Sequence, residues 1–169
     1  MVDTARLRHV RALVLDVDGV LTDGRLYYGP TGEIFQSFHV HDGQGIKMAQ
    51  AAGLIVAALS ARRSAAVEHR LGELGLAAIV QGRHDKSRAL DELEARFGFA
   101  DKELAAVGDD LGDLPVLARA CFSAAVADAH PSCRAQAHYV TRCAGGRGAV
   151  REVIDLLLAA REGRDTNAP

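Results

Sequence analysis

Short apolar runs that end in acid or hydroxyl residues, separated by segments of helical spacing, most constrain this chain. Residues 10–16 read VRALVLD, 54–59 read LIVAAL and run into Ser60, 77–80 read AAIV, and 104–107 read LAAV and run into Gly108-Asp109-Asp110. Uninterrupted apolar runs of this length suit strands buried on both faces, and their alternation with helices predicts a parallel sheet covered by helices on both sides. In such a Rossmann-like α/β sheet, ligands bind outside the carboxyl ends of the strands. The polar residues following each run are therefore the candidates for chemistry.

The intervening segments are read from their punctuation. Helices are expected over 45–52, 64–74, 87–97, 114–120 and 148–161. Ser64 is a candidate N-cap, Gly53 and Gly75 are stops, and Pro115 falls in a first turn. Short strand-like pieces fall at 123–126 and 138–141. One irregularity breaks the pattern: 25–28 and 33–39 read as two strands around Gly29-Pro30-Thr31-Gly32, a hairpin (about 24–40) inserted after the first strand. Residues 1–162 are expected to form a single domain, and 163–169 a flexible tail. With 5% aromatic residues and no Trp, the core must come from Ala, Val, Leu and Ile. A net charge of -2 argues against nucleic acid or an anionic membrane as partner. No apolar run is long enough to span a membrane, and the first residues lack the pattern of a secretory leader. Cys121, Cys133 and Cys143 form neither a CxxC pair nor a disulfide framework, which suits reduced thiols in a cytoplasmic protein.

The strand ends collect Asp16-Val17-Asp18-Gly19, Ser60-Ala61-Arg62, Gln81 through Lys86 (QGRHDK), and Asp109-Asp110-Leu111-Gly112-Asp113. Clustered carboxylates ionise together only beside a cation, and an oxygen-only donor set favours Mg²⁺, which with open positions meets phosphate. A hydroxyl and a Lys complete a phosphate cage. One carboxylate can attack phosphorus, and a second, two residues on, can act as general acid and then base. An EF-hand fails because Tyr27 stands where the loop needs a bidentate Glu. The HxH of His39 and His41 lacks a third zinc ligand; on the strand expected there, both would face one side.

DVDGVLTDG at 16–24 resembles the first motif of the haloacid dehalogenase superfamily, and Ser60, Lys86 and GDDLGD at 108–113 match its remaining motifs in order. The hairpin, DGQGI at 42–46, SARRS at 60–64, QGRHDK, AVADAH at 125–130 and GGRGAVRE at 145–152 narrow the resemblance to the 3-deoxy-D-manno-octulosonate 8-phosphate (KDO 8-phosphate) phosphatases of lipopolysaccharide synthesis. The resemblance implies a capless, Mg²⁺-dependent homotetramer joined through the hairpins, with neighbouring subunits closing each site. It implies Asp16 as nucleophile and metal ligand, and Asp18 as general acid/base with its main-chain carbonyl on the metal. Asp109 is then the third ligand, Asp110 and Asp113 support the metal's waters or Lys86, and Ser60 and Lys86 hold the phosphoryl group. Asp42, Gly43, Arg62 and Arg70 are implied in substrate binding, Arg70 from an adjacent subunit, and GGRGAVRE in closing over a neighbour's site. Ala61, His41 and Gln44 depart from the family pattern, the last two in the substrate loop.

Three readings compete with hydrolysis of KDO 8-phosphate. Sialic-acid-like nonulosonate 9-phosphates are the nearest alternative substrates, and Arg62 favours the octulosonate. A phospho-acceptor receiver domain carries its phosphorylated Asp after the third strand, where this chain has Gln81-Gly82-Arg83. A non-catalytic oligomerisation module of the same fold would not require the intact acidic positions seen here.

Overall fold

The structure, a computed structural model, describes residues 4–164. In chain order it comprises α1 (Thr4–Leu7), β1 (Ala12–Leu15), β2 (Tyr27–Gly29), β3 (Gly32–Phe35), α2 (Val40–Ala51), β4 (Ile55–Leu59), α3 (Ala65–Leu74), β5 (Ala78–Val80), α4 (Lys86–Phe97), β6 (Leu104–Gly108), α5 (Leu114–Arg119), β7 (Phe122–Ala125), α6 (Pro131–Gln136), β8 (Tyr139–Val140) and α7 (Ala149–Arg161). Residues 165–169, most of the expected tail, lie outside the described residues.

Six strands form one parallel sheet in the order β5-β4-β1-β6-β7-β8. β1 and β6 are buried along their whole length, and the small residues of β4 (IVAAL) and β6 (LAAVG) let helices approach closely. Helices α1, α2, α3 and α7 pack on one another as one layer, and α4, α5 and α6 as another, with the sheet between them. The core is the aliphatic one expected, and each fully buried Leu, such as Leu13, Leu59 or Leu104, contributes about 1.5–3 kcal/mol. From β1 the chain builds outward through β4 to β5, then returns to β6 and builds outward the other way. That reversal opens a crevice at the carboxyl ends of β1 and β6.

Between β1 and α2 the chain inserts only the ribbon β2–β3, which shares no ladder with the main sheet. Tyr27 pairs with Phe35 across the ribbon and stacks on it, ring centroids 4.3 Å apart.

The helix expected at 45–52 begins earlier, at Val40 with His39 as N-cap. The second hairpin strand accordingly stops at Phe35, and His41 lies in a helical turn rather than on the strand expected for the HxH. DGQG reads as a loop because Gly weakens helices, but here the glycines make room. A methyl at Gly43 would meet Arg70 at 2.7 Å, and one at Gly45 would meet Arg151 at 2.9 Å. Close packing of α2 on α3 and α7 thus overrides local propensity. Helices α1 and α6 have no counterpart in the sequence reading; both are too short for a helical period to register.

Candidate active site

Asp16 follows β1 directly, and its amide extends the ladder to Val107 O at 3.0 Å. Asp109 follows β6, the neighbouring strand, so the switch point brings the two carboxylates together. Lys86 is the first residue of α4, whose N-cap Asp85 accepts the Arg88 amide. From there its ammonium reaches inward to Asp16 Oδ1 at 2.5 Å and Asp113 Oδ1 at 2.6 Å. Asp113 Oδ2 accepts the amides of Asp109 (2.9 Å) and Asp110 (3.2 Å), which fixes the turn carrying Asp109. Carboxylate oxygens of Asp16, Asp109 and Asp113 lie within 4.8 Å of one another.

Burial with few cations raises two acids of this group, Asp16 and Asp109. Desolvation, then the charge of Asp113, pushes Asp16 up to about 7 against the pull of Lys86. Desolvation, then Asp16 and Asp113, pushes Asp109 up to about 8. Lys86 moves upward because its two carboxylates outweigh its own desolvation. Three clustered carboxylates, Asp16 and Asp113 buried and Asp109 half-buried, against one ammonium leave an excess of negative charge that a divalent cation matches. The residues present therefore fit Mg²⁺. Two glycines make the cluster possible. At Gly19, φ is +98° and a methyl would collide with the Asp109 carboxylate; at Gly108 a methyl would meet Asp113 Cβ at 2.5 Å.

Asp18 stands on the same loop and receives three donors: Ser60 Oγ at 3.2 Å, Arg62 Nη1 at 2.6 Å and Gln36 Nε2 at 3.2 Å. Ser60 Oγ also accepts the Arg62 amide at 3.1 Å. The loop is held by Thr22 Oγ1, which accepts the Gly19 and Gly24 amides, and by Gly146, whose amide donates to Val20 O.

The fold thus places Asp16, Asp18, Ser60, Arg62, Lys86, Asp109 and Asp113 along one crevice. Asp110 lies at its rim, exposed, where its carboxylate accepts the Leu111 amide and does not touch Lys86. The structure places Asp42 and Gly43, expected at the substrate, in α2 where it packs on α3 and α7. The Asp42 side chain is buried and accepts the amides of Gly148 (3.2 Å) and Arg151 (2.8 Å), capping α7. Its burial raises its carboxyl while those amides oppose the rise. Gly43 is the small residue over which Arg70 lies. Arg70 itself bonds to Glu73 on its own helix.

GGRGAVRE packs within its own subunit at its glycine end. Gly145 and Gly146 are wedged against the loop after β1, where a methyl at Gly145 would fall 1.7 Å from Gly19 O; the rest begins α7. Two hairpin residues, Glu33 and Gln36, were not anticipated. Gln36 donates to both Asp18 and Glu33, and Glu33 accepts from Arg62 and Ser64. A Glu after a turn glycine carries no signal of such a role.

Residues 72–154 match a family described as haloacid dehalogenase-like hydrolase. The chain is 47% identical over 157 residues to the 3-deoxy-D-manno-octulosonate 8-phosphate phosphatase KdsC of Escherichia coli (strain K12), covering 93% of this chain and 84% of that protein. Among solved structures, it matches the 3-deoxy-D-manno-octulosonate 8-phosphate phosphatase from Yersinia pestis with a TM-score of 0.92 at 45% identity, over 94% of this chain and 86% of that one. It matches the Moraxella catarrhalis phosphatase of the same name, in complex with magnesium, phosphate and KDO, with a TM-score of 0.91 at 38% identity, over 95% and 92%.

Proposed function

The chain belongs to the 3-deoxy-D-manno-octulosonate 8-phosphate phosphatases, within the haloacid dehalogenase-like hydrolases, and from that membership we propose how its residues divide the chemistry. The enzyme hydrolyses KDO 8-phosphate to KDO and phosphate with Mg²⁺ as cofactor, a step of lipopolysaccharide synthesis. The observation that carries the residue assignment is the Asp16–Lys86–Asp113 group beside Asp109, with Asp18 two residues further along the same loop.

An oxygen of Asp16 attacks phosphorus, and the bond to the sugar oxygen breaks. Asp18 gives its proton to that leaving oxygen, which would otherwise depart as a strongly basic alkoxide. The product is an aspartyl-phosphate on Asp16. Asp18, now a carboxylate, takes a proton from a water that attacks the same phosphorus, and phosphate leaves with Asp16 restored. Lys86 orients Asp16 and favours its ionised form, and with Ser60 it faces the phosphoryl oxygens. The Asp16 and Asp109 side chains with the Asp18 main-chain carbonyl would hold Mg²⁺, which offsets charge on the phosphoryl oxygens.

Two further points belong to this reading. The first is a homotetramer joined through the β2–β3 ribbons, supported by the exposed apolar side chains of Leu26, Tyr28, Ile34 and Phe35, with Arg70 serving an adjacent subunit's substrate. The second is a cytoplasmic location, supported by three cysteines, none of them paired. No helix among the described residues is long and apolar enough to cross a membrane.

The test is phosphate release, with and without Mg²⁺, from KDO 8-phosphate and a nonulosonate 9-phosphate side by side. Release that needs Mg²⁺ and favours the octulosonate is expected, and Asp16→Asn is expected to abolish it. Turnover retained in Asp16→Asn would sink the nucleophile assignment.

A further inference from the structure

The hairpin does more than present an apolar face. Glu33, at the start of β3, lies across the crevice from Asp18 with its side chain 17% exposed. Arg62 spans the two carboxylates, with Nη1 on Asp18 Oδ1 at 2.6 Å and Nη2 on Glu33 Oε2 at 2.9 Å. Glu33 is itself fixed from two further directions, by Ser64 Oγ, which also caps α3, and by Gln36 Nε2 at 3.2 Å. Gln36 Nε2 completes the bridge by reaching Asp18 Oδ1 at 3.2 Å. A planar guanidinium gripped on one nitrogen by an anchored carboxylate can present its other nitrogen in only one direction. Glu33 also shares the cation's charge, so Arg62 orients Asp18 without being its exclusive counter-ion.

We propose that Glu33 is a positioning residue for phosphoryl transfer: through Arg62 it holds the Asp18 carboxylate at the leaving oxygen of the ester. The hairpin then stands in for part of what a cap domain does, since it delimits the site and orients the acid. The proposal rests on the assignment of Asp18 as general acid.

Leaving-group dependence separates this role from a structural one. Cleavage of an alkyl phosphate needs a proton delivered to the departing oxygen, whereas cleavage of p-nitrophenyl phosphate does not, because p-nitrophenolate is a stable anion. The ratio kcat/KM reports only steps through formation of the phosphoenzyme, so the later use of Asp18 as base does not enter.

The experiment measures kcat/KM of wild type, Asp18→Asn, Glu33→Gln and Glu33→Ala in Mg²⁺ on three esters: p-nitrophenyl phosphate, glycerol 1-phosphate and KDO 8-phosphate. Melting temperature and assembly size are followed on the same samples. Both Glu33 variants are expected to lose about tenfold on the two alkyl esters and less than about twofold on the aryl ester, a fraction of what a missing general acid costs. Equal losses on all three esters, a loss confined to KDO 8-phosphate, or no loss in either variant would each overturn the proposal. If Asp18→Asn itself fails to distinguish alkyl from aryl esters, the general-acid assignment falls and the proposal with it. If Asp18→Asn distinguishes them and the Glu33 variants do not, only the role of Glu33 falls.

Discussion

Among the described residues Lys86 alone sets an ammonium among the clustered carboxylates of Asp16, Asp109 and Asp113, and its two short contacts with Asp16 and Asp113 do not cancel their repulsion of Asp109. The consequence is a definite pH dependence. Asp16 and Asp109 rise from the ordinary 3.8 of an unfolded chain to about 7 and about 8 in the fold. A group raised on folding binds its proton more tightly in the native state, so its contribution is fully present below the unfolded value and is lost as pH climbs through the folded one. Metal-free protein should therefore lose thermal stability between about pH 4 and pH 8. Mg²⁺ binds the ionised carboxylates, so the stabilisation it gives should grow over the same interval. Melting curves at pH 5.5 and pH 8, with and without Mg²⁺, check this; a metal effect equal at both pH values would contradict the assignment of these carboxylates to the metal. The placement of Asp16, Lys86 and Asp109 was legible in sequence because each directly follows a strand or opens a helix. That of Glu33 was not, because its partners Arg62 and Ser64 are about 30 residues away, and only folding brings them to it.

At the level of elements, α7 is held by partners that its own sequence does not name. Asp42, in the first turn of α2, caps it by accepting two amides with a carboxylate that is 1% exposed. Asp42→Ala should cost about 1–2 kcal/mol in denaturant unfolding, as loss of a cap does. KM for KDO 8-phosphate in the folded variant should stay near that of wild type; a large rise in KM without loss of stability would restore the direct substrate contact first expected of Asp42. The turn before α7 is more constrained still. Gly145 faces Gly19 O across a gap too small for any Cβ, and both residues border the loop carrying Asp18. Gly145→Ala should therefore destabilise by about 3 kcal/mol, as overpacking does, and should depress activity because the catalytic loop has to shift. A circular-dichroism melt paired with an activity assay reads both effects. The sequence marked this segment only as the approach to a helix, whereas its packing lies in a contact spanning more than a hundred residues.

Across the whole molecule, the sheet gathers the acidic cluster at one edge, and the ribbon stands apart from it with apolar side chains exposed. Ile34 is 65% exposed and Phe35 50% exposed on a two-stranded ribbon that makes no ladder with the main sheet. A lone ribbon of this size is marginally stable in water, so burial against other copies is the natural resolution. If the ribbons join subunits, the melting temperature should rise with protein concentration. On the proposed tetramer, Ile34→Glu combined with Phe35→Ser should shift the sedimentation coefficient to that of a monomer. On the proposed role of Arg70 toward an adjacent subunit's substrate, it should also lower turnover of KDO 8-phosphate. A wild-type protein that sediments as an active monomer would refute the assembly.

The sequence by itself determined the parallel α/β architecture, the order of its main strands and helices, and the acidic cluster. These follow from local signals: apolar runs of strand length, helical spacing, glycine stops, and polar residues set directly after strands. The tertiary structure alone decided that DGQG is helical, that Asp42 serves α7, that Gly145 packs against the catalytic loop, and that Glu33 reaches Arg62. Each of those depends on how closely two segments distant in the chain approach each other. That distance is set by side-chain volume and backbone packing across layers, which no local period records.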